Sequence, residues 1–159
     1  MAANSRFAVA VHAAAAIAYQ GARGEGWVSS EQLAGSVRTN PVVVRRVVTA
    51  LVRAGLLESQ HGRGGGARLA RRPEDLTLRE IYHAVAGASD RGVDILAYNP
   101  NPANSACRVS CGMRDALAPV FTAVETAVDD ALGRTTLADV LARLAAVDRA
   151  PHVDHLTTA

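Results

Sequence analysis

Four glycines and four arginines share the eleven positions of "GRGGGARLARR", residues 62–72. Glycine lets backbone N–H groups come close to a ligand, and arginine offers a flat fork of donors that fits phosphate oxygens and the edge of guanine. Together they point to phosphate recognition. A second chemically capable group is the pair Cys107 and Cys111, spaced C-x-x-x-C, whose chemistry would be thiol oxidation or metal ligation.

The phosphate could belong to a nucleotide or to a DNA backbone. A nucleotide P-loop needs a Lys-Ser/Thr pair after its glycines, and all 17 basic residues here are Arg. Gly62, Gly64 and Ala67 match the G-x-G-x-x-A spacing of a dinucleotide fingerprint. That motif, however, must open a helix onto the pyrophosphate. Here "RLARRPED" follows, with Pro73 too close for a long helix. The DNA backbone remains, unless the glycines only form a flexible turn; Arg63 and Arg68, which repel each other unless an anion comes between them, argue against that.

The charge distribution agrees. Residues 1–80 hold eleven Arg against six acidic residues, and residues 81–159 hold six against nine. The net +2 of the whole chain thus hides a basic first half, suited to a polyanion. Coding bias can explain Arg in place of Lys, but not this lopsidedness. No apolar run approaches the roughly 20 residues of a membrane span. The start lacks a basic n-region, so the expectation is a cytoplasmic protein that does not contact membranes. Two cysteines are too few for a disulfide scaffold.

Periodicity places these residues on elements. Residues 5–20 are expected to form an Ala-rich helix capped by Asn4 or Ser5. "VSSEQLAGSV" follows, with Ser29 or Ser30 as cap and Leu33 and Val37 inward. In "RTNPVVVRRVVTALVRAGLLES", Thr39 or Asn40 caps, Pro41 fits the first turn, and Val44, Val47, Val48 and Leu51 form the inward stripe up to Gly55. Two helices a tight turn apart, the second with Arg45 and Arg46 outward, make a helix-turn-helix pattern. "LLESQ" and "ARLAR" on either side of "HGRGGG" predict a hairpin with a glycine-rich tip, and the combination is a winged helix.

Thr77 and Glu80 mark the next helix, with Ile81 and Val85 inward. Residues 88–110 look like loop, and a longer helix is expected from about Cys111 to Leu132. Its apolar positions are Leu117, Val120, Phe121, Val124, Val128 and Leu132, and Pro119 should kink it or mark its first turn. Thr136 caps a last helix, "LADVLARLAAV". The fold class is therefore mainly α with a small β-hairpin wing, a winged helix-turn-helix plus a long C-terminal dimerisation helix. The expected division is 1–87 for DNA binding, 88–110 for a cysteine-bearing sensor loop, 111–150 for dimerisation helices and 151–159 for a flexible tail.

"NSRFAVAVHAAAAIA", "TNPVVVRRVVTALVRAGLL", "GRGGGARLAR" and "LTLREIYHAV" together resemble successive blocks of the Rrf-two family of bacterial regulators, which contains the IscR, NsrR and CymR types. The resemblance runs from about Asn4 to Leu144. It implies a homodimeric winged-helix repressor, or at times an activator, on a palindromic operator in double-stranded DNA. It implies that Asn40, Pro41, Arg45 and Arg46 meet the major groove, with Arg45 or Arg46 reading guanine. The wing, through His61, Arg63, Gly64, Gly65 and Arg68, would meet backbone and minor groove. Ser5 and Arg6 would touch phosphate.

Iron–sulfur members, the resemblance implies, hold a cluster with three cysteines before the long helix plus one non-cysteine ligand. This chain departs from that pattern with two, so a cluster would need two further ligands such as His12, Asp or Glu. The chain is expected to carry no cofactor. The competing expectation is a thiol switch: a helix N-terminus beside Arg108 and Arg114 favours thiolate, and Cys107 and Cys111 could pair as a disulfide. The remaining reading is that both cysteines are ordinary residues and neither senses anything. A small thiol oxidoreductase would want C-x-x-C on a βαβ scaffold, which is absent, so no enzyme is expected. A winged helix used only for protein contacts would not need Arg on both helix and wing.

Overall fold

A computed structural model of the chain describes residues 3–24, 26–62, 64–86 and 103–147, with side chains from Arg6 onward. Helix α1 (Ala3–Ala22) is the central strut. It begins at Ala3, so Asn4 and Ser5 lie inside the helix and do not cap it. The alanine ahead of them is the strongest helix former and extends the first turn. Ala10, Ala13, Ala14 and Ile17 of α1 are buried, and the helix packs against α2, α3, α4, α6 and strand β2 introduced below. Short side chains permit approach from several sides, which is why this helix is alanine-rich.

Helix α2 (Ser30–Val37) starts at Ser29, whose Oγ accepts the Gln32 N–H at 3.2 Å while Gln32 Oε1 accepts the Ser29 N–H at 2.8 Å. It ends at Arg38, which holds a left-handed backbone at φ +55°. A side chain there is strained, and glycine is the usual occupant. Helix α3 (Pro41–Arg53) follows at once, because Asn40 Oδ1 accepts the Val42 N–H at 2.8 Å and Pro41 opens the first turn. Val44, Val47, Val48 and Leu51 of α3 enter the core, the inward stripe read from the sequence; in α2 Leu33 does so with Ala34, while Val37, expected inward, is only half-buried. Each buried Val or Leu contributes about 1.5–3 kcal/mol relative to exposure.

Strands β1 (Leu57–Gln60) and β2 (Gly66–Leu69) form the hairpin in the register Leu57↔Leu69, Glu58↔Arg68, Ser59↔Ala67 and Gln60↔Gly66. Val28, just ahead of α2, adds a bridge on the other edge of β2. Its N–H donates to the Ala67 carbonyl at 3.0 Å, and the Ala67 N–H donates back at 2.8 Å. A Cβ at position 66 would collide with the Val28 carbonyl, so only glycine fits there. Gly64 takes φ +78° in the turn. After the glycines the chain continues as a strand, so the dinucleotide fingerprint is excluded by the fold.

A 3-10 turn at Pro73–Asp75 leads to α4 (Leu78–Ala86), where the Thr77 N–H donates to Glu80 Oε2 at 2.9 Å and the Glu80 N–H donates to Thr77 Oγ1 at 3.3 Å. Helix α5 (Arg108–Gly133) begins three residues before the expected Cys111, so Arg108, Val109 and Ser110 are helical rather than loop and Pro119 lies well inside the helix, not in its first turn. Helix α6 (Leu137–Val147) returns to the winged domain. The Leu137 N–H donates to the Leu76 carbonyl at 2.8 Å, and the Leu137 side chain is fully buried. The first turn of α6 thus closes the core of the winged domain, although it falls in the 111–150 segment expected to dimerise. Residues 88–102 of the sensor loop and the whole tail lie outside the described residues.

Gly66→Ala is expected to destabilise the fold by about 1–3 kcal/mol, from backbone overpacking, and to speed hydrogen exchange at the Val28 and Ala67 amides. Gly35→Ala in α2, where nothing lies within 4 Å, is expected to stabilise by about 0.5–1 kcal/mol. Thermal melts of the two variants check both signs.

Asp129 of α5 accepts from His83 at 2.7 Å and Arg79 at 3.0 Å, both on α4. Those hydrogen bonds, His83 first, hold its carboxyl below the usual aspartate range. A depressed pKa contributes above the unfolded-state value, near 3.9, and is lost as pH falls through the folded-state value. Asp129→Asn should therefore speed exchange of the surrounding α5 amides at neutral pH. It should make no difference well below the ordinary carboxyl range, where wild type is itself uncharged.

Candidate nucleic-acid interface

The outer face of α3 carries Val42, Arg45, Arg46, Thr49 and Arg53, a ridge set by the inward valines on the opposite side. Two shallow grooves flank it. One runs toward Arg6 of α1 and Val85 of α4 and includes Arg46. The other runs toward the start of α2 at Ser29, Ser30 and Glu31 and toward Ser59, Gln60, His61, Gly65 and Gly66 of the wing. Arg45, Thr49 and Arg53, at helical i, i+4, i+8 spacing, border both. The recognition ridge and the wing edge therefore open to the same side.

Asn40 and Pro41 stand at the N-terminus of α3 and serve first as its cap and first turn. Gly65 belongs to the wing turn, its N–H donating to the Gly62 carbonyl at 3.0 Å, and a Cβ there would collide with the Gln60 carbonyl. The glycines are thus demanded by the backbone, whatever ligand the wing meets. His61 and Gly64 are exposed. The Ser5 side chain and Arg63 lie outside the described residues.

Arg68 differs from the expectation of a free basic wing residue. Its guanidinium reaches Glu58 across the strand pair at 2.7 Å and lies 4.5 Å from the centre of the Trp27 ring. Side chains alternate along a strand, so Arg68 and Glu58 share the face opposite Ser59 and Ala67, and neither of them lines the groove beside α3. Arg45 is also partnered: its Nη2 donates to Glu31 Oε1 at 2.8 Å. Among the described residues Arg6, Arg46 and Arg53 make no ion pair.

Sequence reasoning missed Arg53, Thr49, Ser29 and Ser30 as parts of this surface. The four-residue spacing from Arg45 could have found the first two. A helix N-terminus with free donors could have suggested the serines.

The cysteines sit elsewhere. Cys107 is the N-cap position of α5 and Cys111 lies in its first turn, both exposed. The Cys111 N–H donates to the Cys107 carbonyl at 3.1 Å, and the Cys111 thiol donates to the Asn104 carbonyl at 3.4 Å. From Cys111 to Asp129, where α5 is fastened to α4, is about 27 Å of helix at 1.5 Å per residue. His12, the suggested extra ligand, has its Nε2 2.9 Å from Ser36 Oγ of α2. Among the described residues no three His, Cys, Asp or Glu side chains gather where they could hold a metal ion, and no helix is long and apolar enough to cross a membrane.

A family profile described as "Rrf2: Iron-dependent Transcriptional regulator" matches residues 3–143. A Bacillus subtilis (strain 168) protein named as an HTH-type transcriptional regulator, YwnA, is 38% identical over 141 residues, covering 89% of this chain and 98% of that one. A crystal structure described as a DNA binding protein superposes with a TM-score of 0.63 at 35% identity, covering 86% of this chain and 98% of the other. The structure of T. potens IscR matches with a TM-score of 0.66 over 92% of this chain and 90% of that one; at 23% identity it bears on the fold alone.

Arg46→Ala is expected to weaken binding to a specific duplex by about 1–3 kcal/mol if it reads a base, and Arg45→Ala likewise. Arg68→Ala should instead lower the melting temperature through the lost Glu58 and Trp27 contacts and leave base preference unchanged. Competition binding against single-base-substituted duplexes, alongside thermal melts, separates the two behaviours.

Proposed function

This chain belongs to the Rrf2 family of transcriptional regulators, and from that premise we propose that it is a homodimeric cytoplasmic repressor. In this reading each protomer lays α3 in the major groove of one half of a palindromic operator. The hold on DNA is adjusted by oxidation or thiol-reactive signals at Cys107 and Cys111. The observation that carries the DNA part is the shared groove, in which Arg45 and Arg53 of α3 face Gln60, His61 and Gly65 of the wing. A duplex can meet helix and ribbon from one direction, and Arg6 and Arg46 extend the positive face past α3.

The dimer part is supported by α5. None of its 26 residues is buried, yet Val109, Met113, Leu117, Val120 and Val124 recur at helical spacing, and Val109 and Val120 are 66% and 55% exposed. An apolar stripe of this length on a helix calls for cover, and a second copy supplies the matching stripe about a two-fold axis.

Among the described residues the donors do not match the family's description as iron-dependent. Two cysteines on one helix end provide half of a four-ligand set, and His12 is occupied by Ser36. Thiol chemistry fits them better. A hydroperoxide takes one thiolate to sulfenic acid and leaves as an alcohol; the second thiol displaces water to close the disulfide. A disulfide needs Cβ atoms roughly 3.5–4.5 Å apart, and Cys107, with the extended backbone of an N-cap, and Cys111 stand at the two ends of the first turn of α5. Closing the bond within one chain would act on the first turn of α5, at the Cys111 N–H to Cys107 carbonyl bond.

Reduced protein is expected to sediment as a dimer and to bind a selected duplex with an affinity that falls steeply with salt. Peroxide should change that affinity several-fold in wild type and not in Cys107→Ser or Cys111→Ser. Equal response of all three proteins would remove the thiol reading and leave the DNA reading standing. Brown protein with stoichiometric iron after anaerobic purification would replace the thiol switch with a cluster.

A further inference from the structure

The arginine at the centre of the DNA-facing surface is not free. Arg45 Nη2 donates to Glu31 Oε1 at 2.8 Å, and the two side chains remain 57% and 66% exposed on the very groove a duplex would fill. A carboxylate on such a surface repels phosphate, so its presence there needs a compensating role. Glu31 stands in the first turn of α2, and the rest of α2 is fixed by the Ser29 and Gln32 cap and by the buried Leu33. It is thus a rigidly based acceptor beside a long, flexible donor.

We propose that Glu31 is a positioning and specificity-determining residue for Arg45: its carboxylate holds one edge of the guanidinium so that the remaining N–H groups point out of the groove toward a guanine rather than sampling phosphates. The inference rests on Arg45 being the base reader. Arginine has five N–H donors arranged in two forked edges, so a contact to Glu31 through one Nη2 hydrogen leaves one two-donor edge free to bond O6 and N7. In water such an exposed pair is weak and mobile. A duplex laid over the groove excludes water, and the charge on Arg45 then bridges two acceptors in a lower dielectric, which strengthens both contacts. The hydrogen bond from Arg45, followed by that from Glu31's own backbone N–H, keeps the Glu31 carboxyl below its usual range, so it is charged across the neutral range.

Glu31 also acts against wrong sites. Where no guanine meets Arg45, the negative carboxylate still stands close to phosphate with no base contact to offset it, and binding there is penalised. Removing the charge should therefore help nonspecific DNA and harm discrimination at once.

The test uses the full chain and two duplexes: one enriched from a random pool by the wild-type protein, and a scrambled duplex of the same length and composition. Glu31→Gln keeps the side-chain shape at an exposed position. It is expected to bind the scrambled duplex about 3-fold tighter and to lose about 10-fold of the ratio between the two affinities. Repeating the selection with Glu31→Gln should relax one base pair per half-site, the same one that Arg45→Ala relaxes. In an Arg45→Ala background, Glu31→Gln should change the ratio less than 2-fold. An equal gain on both duplexes, or a ratio within 2-fold of wild type, would overturn the positioning role while the regulator reading stood. A wild-type protein that enriches no duplex would sink both.

Discussion

The arrangement depends on the backbone exchange between Val28 and Ala67. Val28 is the residue ahead of the Ser29 cap, so the bridge fastens β2 of the wing to the point where α2 begins. Both residues are buried, and the two hydrogen bonds are shielded from water. Without that clamp a two-stranded hairpin is marginal in water, and its position relative to α3 would rest on the buried Leu56 and Leu57 and on the packing of β2 against α1. With it, the start of α2, the ridge of α3 and the edge of the wing form one body around one groove. Gly66 is the cost of that closeness, since any Cβ there would occupy the Val28 carbonyl.

The core that supports this body is built from small and branched residues around α1. Alanine at positions 10, 13 and 14 brings the surrounding helices close, while Leu33, Leu51, Leu76, Ile81 and Leu137 supply the bulk. Leu76 and Leu137 come from the two sides of α5 in sequence, joined by the backbone bonds at the Thr77 and Thr136 bridge. The long helix is therefore the middle of a loop that leaves the winged domain after α4 and returns to it at α6. None of its apolar stripe is fully buried within the protomer, and Leu117, Phe121, Val124 and Val128 are only half-buried, so α5 adds little to the core that folds the winged domain.

Much of this was legible in the sequence because it is local. Asn40-Pro41, the Ser29 and Thr77 caps and the valine stripe of α3 each follow from the needs of one helix. The hairpin followed from alternation around a glycine run. What could not be read depends on contacts distant along the chain. Nothing in "GWVSS" announces that Val28 pairs with Ala67, 39 positions on. The start of α5 at Arg108 depended on the Asn104 carbonyl and side chain ordering the turn before it, through bonds to the Cys107 and Ala106 N–H groups. The site residues suffered most: an arginine looks alike in sequence whether it faces solvent, as Arg46 does, or is held between Glu58 and Trp27, as Arg68 is.

The position of the cysteines constrains how any event there reaches DNA. They stand at the far end of α5 from Asp129, whose bonds to Arg79 and His83 fasten that helix to α4. Helix α4 in turn lies against α1 and α3, and its Val85 borders the groove beside Arg46. A change confined to the first turn of α5 touches none of these contacts within its own protomer. It does touch Val109 and Met113, the exposed start of the apolar stripe. Under the proposed thiol sensing, the physical route to DNA would therefore run through whatever covers that stripe. In a two-fold dimer this is the other protomer's helix, and a change in that turn would alter how the two reading heads are spaced rather than the shape of either one.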